Sequence, residues 1–489
     1  MTCDDATIAS RLAASLPKTR WFADKGVGIA AVTLHERASL PRDTAAEMAL
    51  ADVQLAGRDP SSQSPRYVVM IDAAGDDAAA TPAVARWLLD LVLSGRSLSG
   101  RSGQFVGHAT GHGQRVSSAA PTGPVTVSPI GGDASNTSIV VRSGSTGWII
   151  KLFRRCRAGI QPEVEIGEFF ATASPWQGTP RLCGWLEYVP ADDHLAATST
   201  AIATVHEFAP GYTTGWDRLV ELLTAGDGLA GHSGDEVLTI VAGLGRATAR
   251  MHRTFSVRSD IPAFAPELAT SVGRQAATLR MSEHAQRVFA LIESRLLQVE
   301  PTMAGRLAAV LAARSRLARR FDGLPGIALA TTNIRVHGDY HLGQVLVAEH
   351  ESKLLVAEQG GVLVIDFEGE PGRTLAERRE KTAAAKDVAG MCRSFDYLLR
   401  HVAKSTGRTY AAADLARLEV CYLDAYRELA AGQPWWPAAP AAADALLAVF
   451  KLDKAIYELA YELNNRPDWI DVPLAAIEEA VVTVARSHA

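Results

Sequence analysis

The chain has 489 residues, with 54 acidic and 49 basic side chains and a formal net charge of -5. Hydrophobic residues make up 47% and charged residues 21%, as in ordinary globular proteins, which excludes global disorder. There is no basic excess for non-specific binding of nucleic acid, and no apolar run approaches the roughly 18 residues needed to cross a membrane. The polar N-terminus and the scattered cysteines, which form no CxxC pair, predict a cytoplasmic protein. The length of the chain predicts roughly three structural units.

The first hundred residues predict a small β-rich unit. Alternating apolar residues at 50–55 and 67–71 indicate strands, and apolar residues at helical spacing over 83–92 indicate one short helix. The stretch 94–126 is rich in Gly, Ser and Thr, which favours a linker or an exposed loop and places a domain boundary near residue 100. Two histidines of this stretch are interpreted as exposed loop residues: His108 and His112.

A second β-rich unit follows, and the rest of the chain is mainly helical. Residues 138–141 and 148–153 flank a Gly/Ser turn, which predicts a hairpin, and 204–208 reads as a further strand. The Ala/Leu/Arg-rich helices are predicted at about 280–320, 411–430 and 440–463. A β-rich insert at 335–368 interrupts them, and most of the unusual chemistry lies there.

The densest group of polar residues occurs in two segments, VHGDYHLGQ from Val336 and VLVIDFEGE from Val362. Asp339 lies between the two histidines of the first segment, and Asp366 ends the apolar strand of the second. Phosphoryl transfer needs such a pair, since one carboxylate orients the attacking hydroxyl while another holds Mg²⁺ against the triphosphate. Magnesium prefers oxygen ligands. The predicted metal ligands are Gln344, Asp366 and Glu368.

The first segment by itself leaves two other interpretations open. Its histidines and aspartate can also bind a transition metal, as in binuclear hydrolases. Alternatively, it is a structural loop whose polar groups satisfy one another. A nucleotide kinase also needs a cation for the phosphates and a loop whose backbone cradles them, and both occur upstream in the required order.

Lys151 lies inside an apolar strand, where an unpaired lysine would be costly. Glu165, in the helix-like segment that follows, is its predicted partner, because a Lys–Glu pair positions the phosphates in protein kinases. The loop from Gly131 to Ser138 supplies backbone N–H groups and hydroxyls that can face the phosphates. No GKS or GKT follows it, so it is not a P-loop. The specific signal is therefore the order of loop, lysine, glutamate and two aspartates.

These segments resemble the catalytic loop and metal-binding motif of aminoglycoside-phosphotransferase and eukaryotic-like kinases, and more narrowly of the maltokinase-like family of bacterial sugar kinases. Further motifs similar to those of the latter family are RWFADKG from Arg20, SNTS from Ser135, DVAGM from Asp387, RSFDY from Arg393 and YELAYELNNRPDW from Tyr457. The resemblance therefore runs along the whole chain. The first motif opens a family-specific cap domain, in which Trp21 is interpreted as a core residue.

The resemblance implies an α+β, bilobal protein-kinase-like fold with a β-rich N-terminal cap domain and a mainly helical C-terminal lobe. It implies a cap domain at 1–100, a β-rich nucleotide-binding lobe at 101–209 and a helical acceptor-binding lobe at 210–489 that carries the catalytic loop. The implied activity is ATP-dependent phosphorylation of a sugar, with ATP and Mg²⁺ as cofactors. The implied partner is a small sugar or amino-sugar acceptor, with no nucleic acid and no membrane.

The resemblance also implies roles for single residues. Asp339 is the catalytic aspartate, and Gln344 and Asp366 are the Mg²⁺ ligands. The implied nucleotide-binding residues are Ser135, Asn136, Thr137, Lys151, Glu165 and the hinge residues Glu207 and Phe208. The implied acceptor-binding residues are His337, Asp339, His341, Glu458, Tyr461, Glu462 and Asn465. Lys454, Glu458 and Glu462 fall on one face of a helix, for which a solvated salt-bridge face is the alternative interpretation.

The chain departs from the maltokinase pattern in two places close to where the acceptor must bind. A Thr382–Asp387 string (TAAAKD) replaces the family's DSPLRD-like string, and an additional hairpin-like piece is predicted at 348–361. These changes leave phosphotransfer intact and favour the branch of the group that phosphorylates glucosamine to glucosamine 6-phosphate. The alternatives are a maltokinase, which forms maltose 1-phosphate, and an aminoglycoside-type phosphotransferase. An acceptor ammonium needs carboxylates. The available carboxylates are Glu368, Asp396, Glu458 and Glu462.

Overall fold

The structure is a computed structural model, and it describes residues 4–58, 64–117, 125–131, 135–174, 176–191, 199–226, 228–324, 331–349 and 361–487. The chain divides into two compact units. The first unit comprises Met1–Pro210 and Glu370–Arg378, and the second comprises Gly211–Gly369 and Arg379–Ala489. The division into three domains, with boundaries at residues 100 and 209, stays a prediction.

The helices and strands are named in chain order. The strands are β1 (Ile29–Ser39), β2 (Ala46–Leu55), β3 (Arg66–Asp72), β4 (Ser97–Ser99), β5 (Gly103–Ala109), β6 (Thr126–Pro129), β7 (Thr137–Ser143), β8 (Thr146–Leu152), β9 (Arg155–Cys156), β10 (Leu182–Pro190), β11 (Thr200–Glu207), β12 (Tyr212–Thr214), β13 (Glu267–Leu268), β14 (Thr332–Asn333), β15 (Val345–Ala348) and β16 (Val362–Val364). The helices are α1 (Asp5–Ser15), α2 (Pro82–Leu93), α3 (Gly111–Ser117), α4 (Pro162–Thr172), α5 (Gly215–Ala225), α6 (Gly231–Ser256), α7 (Ser271–Arg295), α8 (Pro301–Ala312), α9 (Arg314–Asp322), α10 (Leu375–Arg378), α11 (Ala385–Thr406), α12 (Ala412–Ala430), α13 (Pro440–Asn465) and α14 (Asp471–Ser487).

Two sheets and helix α2 build the core of the first unit. One sheet has the strand order β1-β2-β3-β9, and the other has the order β4-β5-β10-β11-β8-β7-β6. Successive side chains of a strand point to opposite faces. On β2, Ala49 and Ala51 therefore pack in the cluster that contains α1, while Met48 and Leu50 pack in the cluster that contains α2 and the second sheet. The strands predicted at 50–55 and 67–71 and the helix predicted at 83–92 are present.

The prediction that 94–126 is a linker or exposed loop is wrong for the described part of that stretch. It contains β4, β5 and α3, and β5 pairs with β10 inside the larger sheet. Phe105 of β5 is fully buried. The glycines that suggested a loop serve close packing instead: a Cβ on Gly107 would lie 2.2 Å from the carbonyl oxygen of Leu91 in α2.

His108 and His112 are consequently not exposed loop residues. The ring of His108 stacks on Trp185 with centroids 4.8 Å apart, and its Nε2 lies 3.1 Å from Glu187. The side chain of His112 is only 12% exposed, and its Nε2 lies 2.6 Å from a carboxylate oxygen of Glu207.

The second unit is mainly helical, with short strands around the catalytic segment. α6 packs against α12, and α11 packs against α13. Strands β12, β15 and β16 form an antiparallel sheet. The end of β16 therefore lies beside the start of β15, where the first polar segment ends. Within the described residues, no helix is long and apolar enough to span a membrane. Most of the predicted 348–361 insert lies outside the described residues.

Candidate active site

The segment that carries Asp339 is held in place by a buried carboxylate of α11. Asp387 Oδ2 accepts the backbone N–H of His337 at 2.8 Å, and Oδ1 accepts that of Gly338 at 2.9 Å. His252 of α6, itself fully buried, lies 3.0 Å from Oδ2. Burial opposes ionisation of Asp387, but the hydrogen bond and charge of His252 hold the pKa of this carboxyl below its ordinary value. Asp387 therefore fixes the backbone immediately before Asp339.

Sequence reasoning placed Asp387 in a family motif but assigned it no role. The available signal was a carboxylate among apolar residues at the start of a helix, in Asp387–Met391. Gly390 of the same motif also has a structural reason, because a Cβ there would lie 2.5 Å from the carbonyl oxygen of Tyr340. One turn on, Ser394 Oγ accepts the backbone N–H of Leu342 at 3.0 Å. This face of α11 is thus shaped to hold the catalytic segment.

Asp339 is paired with a lysine from a distant part of the sequence. Lys454 Nζ of α13 donates to Asp339 Oδ1 at 2.8 Å, and the two side chains are 16% and 18% exposed. Burial raises the pKa of Asp339, but the charge and the hydrogen bond of Lys454 hold it well below its usual range. Asp339 is therefore ionised, and it can accept a hydrogen bond from an approaching hydroxyl.

The two histidines that flank Asp339 differ in what they contact. His337 is 1% exposed; its Nε2 lies 2.9 Å from the carbonyl oxygen of Ile365, and its Nδ1 accepts the backbone N–H of Asp339 at 3.3 Å. Both ring nitrogens are engaged within the protein, which favours a positioning role over the predicted contact with the acceptor. His341 accepts the N–H of Gly343 at 3.1 Å, and burial lowers its pKa, which favours the neutral ring.

The predicted metal ligands flank two paired strands: Gln344 directly precedes β15, and Asp366 and Glu368 follow β16. Gln344 Nε2 donates to Asp366 Oδ2 at 2.6 Å, and the N–H of Ile365 donates to the carbonyl oxygen of Gln344 at 3.0 Å. A carboxylate oxygen of Glu368 lies within 4.8 Å of one of Asp366. Asp366 has a φ of +66°, a left-handed backbone conformation that non-glycine residues rarely adopt and that is enriched at functional sites. Two carboxylates and an amide are a donor set that suits Mg²⁺.

In the first unit, Lys151 pairs with Glu163, which corrects the predicted pairing with Glu165. Lys151 Nζ donates to Glu163 Oε2 at 2.6 Å, and the two side chains are 8% and 5% exposed. Both glutamates belong to α4, and residues two apart on a helix point in nearly opposite directions, so the turn that directs Glu163 to Lys151 directs Glu165 to another side of the helix. The predicted Lys–Glu arrangement is present, with Glu163 as the glutamate.

The predicted nucleotide loop is described only in part. Residues 132–134 lie outside the described residues, Ser135 is exposed, and Asn136 is buried next to the start of β7. At the predicted hinge, the N–H of Glu207 donates to Arg181 O at 3.0 Å and that of Phe208 to Gly147 O at 2.9 Å. Since both N–H groups are engaged within the first unit, the carbonyl groups of the hinge are the better candidates for contact with adenine.

The acids of α13 are paired with arginines and do not form a solvated face. Glu458 Oε2 accepts two hydrogen bonds from Arg393, at 3.0 and 2.8 Å. Burial raises the pKa of Glu458, while the charge of Arg393 works against that increase. Glu462 is only 1% exposed and accepts bonds from Tyr397 at 3.0 Å and from Arg466 at 2.6 Å. The alternative interpretation of a solvated salt-bridge face is therefore wrong for both glutamates.

The other predicted acceptor residues lie further out on α13. Tyr461 is 44% exposed, and Asn465 is exposed and donates to the carbonyl oxygen of Tyr461 at 2.9 Å. Asp396 of α11 bonds Arg393 at 2.8 Å and Arg400 at 2.7 Å. Carboxylates and guanidinium groups thus alternate beside the lysine that holds Asp339.

Residues 126–369 match the phosphotransferase enzyme family (APH). The chain is 31% identical over 283 residues to a glucosamine kinase of Streptacidiphilus jiangxiensis, a match that covers 57% of each protein. It is 27% identical over 363 residues to a glucosamine kinase of Mycolicibacterium smegmatis, covering 71% of this chain and 78% of the relative. The chain therefore matches somewhat more than half the length of the first relative.

Solved structures agree with the fold over nearly the whole chain. A glucosamine kinase in complex with glucosamine, ADP and inorganic phosphate has a TM-score of 0.58 at 23% identity, covering 98% of this chain and 99% of that one. A second glucosamine kinase structure, crystal form A, has a TM-score of 0.59 at 24% identity and covers 96% and 97% of the two chains. This likeness confirms the predicted α+β, kinase-like fold.

Proposed function

We propose that this chain, whose residues 126–369 match the phosphotransferase enzyme family, is an ATP-dependent kinase that converts glucosamine to glucosamine 6-phosphate. The observation that carries the proposal is the ionised Asp339, which lies inside the matched family region. Lys454 holds its carboxylate, and Asp387 positions the backbone before it. The similarity to two curated glucosamine kinases supports the choice of sugar. We place the activity in the cytoplasm, where ATP is available.

The reaction is an in-line displacement at the γ-phosphorus of ATP. The sugar hydroxyl oxygen forms the new bond to phosphorus, the bond to the β–γ bridging oxygen breaks, and ADP leaves. Asp339 accepts a hydrogen bond from the attacking hydroxyl and receives its proton as the new bond forms. Because the pKa of Asp339 is low, the carboxylate orients the hydroxyl and takes the proton late, after the oxygen has begun to bond to phosphorus.

Magnesium fits the residues at the ends of β15 and β16. Asp366 and Glu368 would supply carboxylate oxygens, and Gln344 would supply the oxygen of the amide that now donates to Asp366. When bound, Mg²⁺ neutralises charge on the phosphates. The unusual backbone of Asp366 sets the direction of its carboxylate, and the bond from Ile365 to Gln344 fixes the other side of this donor set.

The nucleotide-side residues belong to the first unit. Lys151 offers an ammonium for the α- and β-phosphates, and Glu163 holds it in one position. We assign the loop residues Ser135, Asn136 and Thr137 to the phosphates and the carbonyl groups of the hinge residues to adenine. We assign Glu163 to this role in place of Glu165, because Glu163 is the glutamate that accepts the bond from Lys151.

Recognition of an amino sugar requires a carboxylate that is not fully used by arginine. Both Arg393 bonds fall on Oε2 of Glu458, so Oε1 is the oxygen we assign to the acceptor ammonium. Glu462, in contrast, is bonded by arginine at both carboxylate oxygens. Glu458 is therefore the better candidate of the two.

The test is a coupled assay of ADP release with glucosamine, glucose, maltose and aminoglycosides as acceptors. We expect glucosamine to give the highest kcat/KM. In the Glu458→Gln variant, KM for glucosamine should rise about tenfold, while KM for ATP should not change. Glu462→Gln is the matched control and should leave KM for glucosamine within about twofold. A preference for maltose would contradict the choice of sugar but not the phosphotransfer.

A further inference from the structure

One arginine links the N-terminal residues to the strand that follows the nucleotide loop. β8 ends at Leu152 in the larger sheet, and β9 begins at Arg155 and pairs with β3 in the smaller one. Arg154 lies at this crossing between the two sheets of the first unit. In the register of β7 and β8, Leu152 is opposite Thr137, the first residue of β7. The side chain of Arg154 can therefore reach both sheets.

The guanidinium of Arg154 contacts four separate parts of the first unit. Nε donates to Thr137 Oγ1 at 2.7 Å, and Nη1 donates to the carbonyl oxygen of Val68 in β3 at 3.4 Å. Nη2 bonds the carboxylate of Asp77, in the turn after β3. The indole of Trp21, from the N-terminal RWF motif, lies against the guanidinium at 4.5 Å. Three of these four partners come from the first eighty residues.

This arrangement is costly unless it is fully paired. Arg154 is 1% exposed, and burial lowers the pKa of its guanidinium while the charge of Asp77 works in the opposite direction. A buried charge persists only when it is paired and hydrogen-bonded. The planar fork of arginine serves several partners at fixed angles, which the ammonium of lysine does not. The position of Thr137 is therefore coupled to Asp77 and Trp21.

We infer that Arg154 is a positioning residue through which the N-terminal residues brace the loop that binds ATP. Thr137 follows Ser135 and Asn136 directly, so a shift of Thr137 moves the groups assigned to the phosphates. The inference rests on the nucleotide binding in the proposed function and gives the RWF motif a task beyond core packing. Loss of the brace weakens nucleotide binding and leaves the acceptor side unchanged.

The experiment measures the Kd for ADP by calorimetry on the full chain, for wild type, Arg154→Lys, Asp77→Asn and the double variant. We expect Kd to rise about tenfold in Arg154→Lys and by a smaller factor in Asp77→Asn. The double variant should bind ADP no more weakly than Arg154→Lys alone, because both changes break the same chain of contacts from Asp77 through Arg154 to Thr137. At saturating ATP, kcat and KM for the sugar should stay within about twofold of wild type.

The matched control is Glu47→Gln, which weakens the partly buried pair of Glu47 with Arg37 in the same small sheet, at 2.6 Å and away from Thr137. It should lower the melting temperature without changing the Kd for ADP. The inference is overturned if Arg154→Lys and Asp77→Asn lower only the melting temperature, if their effects on Kd are additive, or if the wild-type chain binds no ADP. If the variants show the expected changes in Kd but the chain phosphorylates no glucosamine, the proposed sugar is contradicted and the positioning role of Arg154 is not.

Discussion

Each unit of the molecule contains a lysine–carboxylate pair, wholly or largely removed from solvent, that the proposed reaction needs. In the first unit the strand pair, Lys151 with Glu163, joins β8 to α4 at 2.6 Å. In the second unit the loop pair, Lys454 with Asp339, joins α13 to the catalytic segment at 2.8 Å. The strand pair is 8% and 5% exposed, and the loop pair is 16% and 18% exposed. Both pairs join an ammonium to a carboxylate. In the strand pair the lysine is the group proposed to act on a substrate, and in the loop pair the carboxylate is.

The difference lies in which partner is left to act on a substrate. Lys151 extends from a strand, and the glutamate on a neighbouring helix serves to hold it. Asp339 extends from a segment fixed by Asp387, and Lys454 serves to keep it ionised. Buried ion pairs contribute little net stability, since the desolvation of both charges offsets their attraction. The two pairs are therefore better explained by the positioning of reactive groups than by folding.

The largest effect is expected from removing the working charge of the loop pair. Asp339→Asn keeps the size of the side chain but removes the proton acceptor, so kcat for glucosamine should fall about a thousandfold. The Kd for ADP, measured by calorimetry, should not change, because nucleotide binding depends on the strand pair. A kcat close to that of wild type would show that Asp339 is not the catalytic aspartate.

Removing the working charge of the strand pair should affect the nucleotide instead. Lys151→Met takes away the ammonium assigned to the phosphates, so kcat/KM for ATP should fall about a hundredfold. Thermal melting must accompany the kinetics, because the variant leaves Glu163 buried without its partner. Lys151→Arg is the control that keeps the charge and should retain more activity. An unchanged kcat/KM for ATP in a folded Lys151→Met variant would show that Lys151 is not part of the nucleotide site.

The two pairs also differ in how far the sequence could predict them. Lys151 was recognisable because a lysine in the apolar strand Thr146–Leu152 needs a partner, and Glu163 lies only 12 residues further along the chain. The sequence does not distinguish Glu163 from Glu165 as that partner, because the pattern predicts a helix but not which of its faces meets the strand. Lys454 lies 115 residues from Asp339, and no local pattern connects residues at that distance.

The fold was predictable for similar reasons. The alternation in β2, β3, β7 and β8 and the spacing in α2 follow local rules, and these elements were predicted. The stretch 94–126 was not, because its glycines resemble turn residues in sequence while in the structure they permit close packing of β5 on α2. Asp387 belongs to a recognisable motif, but its hydrogen bonds to the catalytic segment depend on tertiary contacts that the sequence does not show.

A smaller effect is expected from removing the supporting charge of the loop pair. In Lys454→Met the ammonium that bonds Asp339 is lost and the carboxylate is no longer held in one orientation, so kcat near neutral pH should fall about thirtyfold. The pKa of Asp339 should rise once this positive charge is gone. Since the ionised form is the active one, activity is lost as the pH falls through this pKa, and the acidic limb of the kcat profile moves to higher pH. Lys454→Arg should keep the limb near its wild-type position, and a limb that does not move in Lys454→Met would contradict the role of the pair.

The smallest effects should come from the two glutamates of α4, which test the corrected partner directly. Glu163→Gln loses the charge that holds Lys151, so kcat/KM for ATP should fall about tenfold. Glu165→Gln makes the same chemical change two residues further on the same helix and should leave kcat/KM for ATP within about twofold. The reverse order would mean that Lys151 turns to Glu165 when nucleotide binds. The pairing would then change during the reaction in the strand pair, whereas in the loop pair the partner of Asp339 would stay the same.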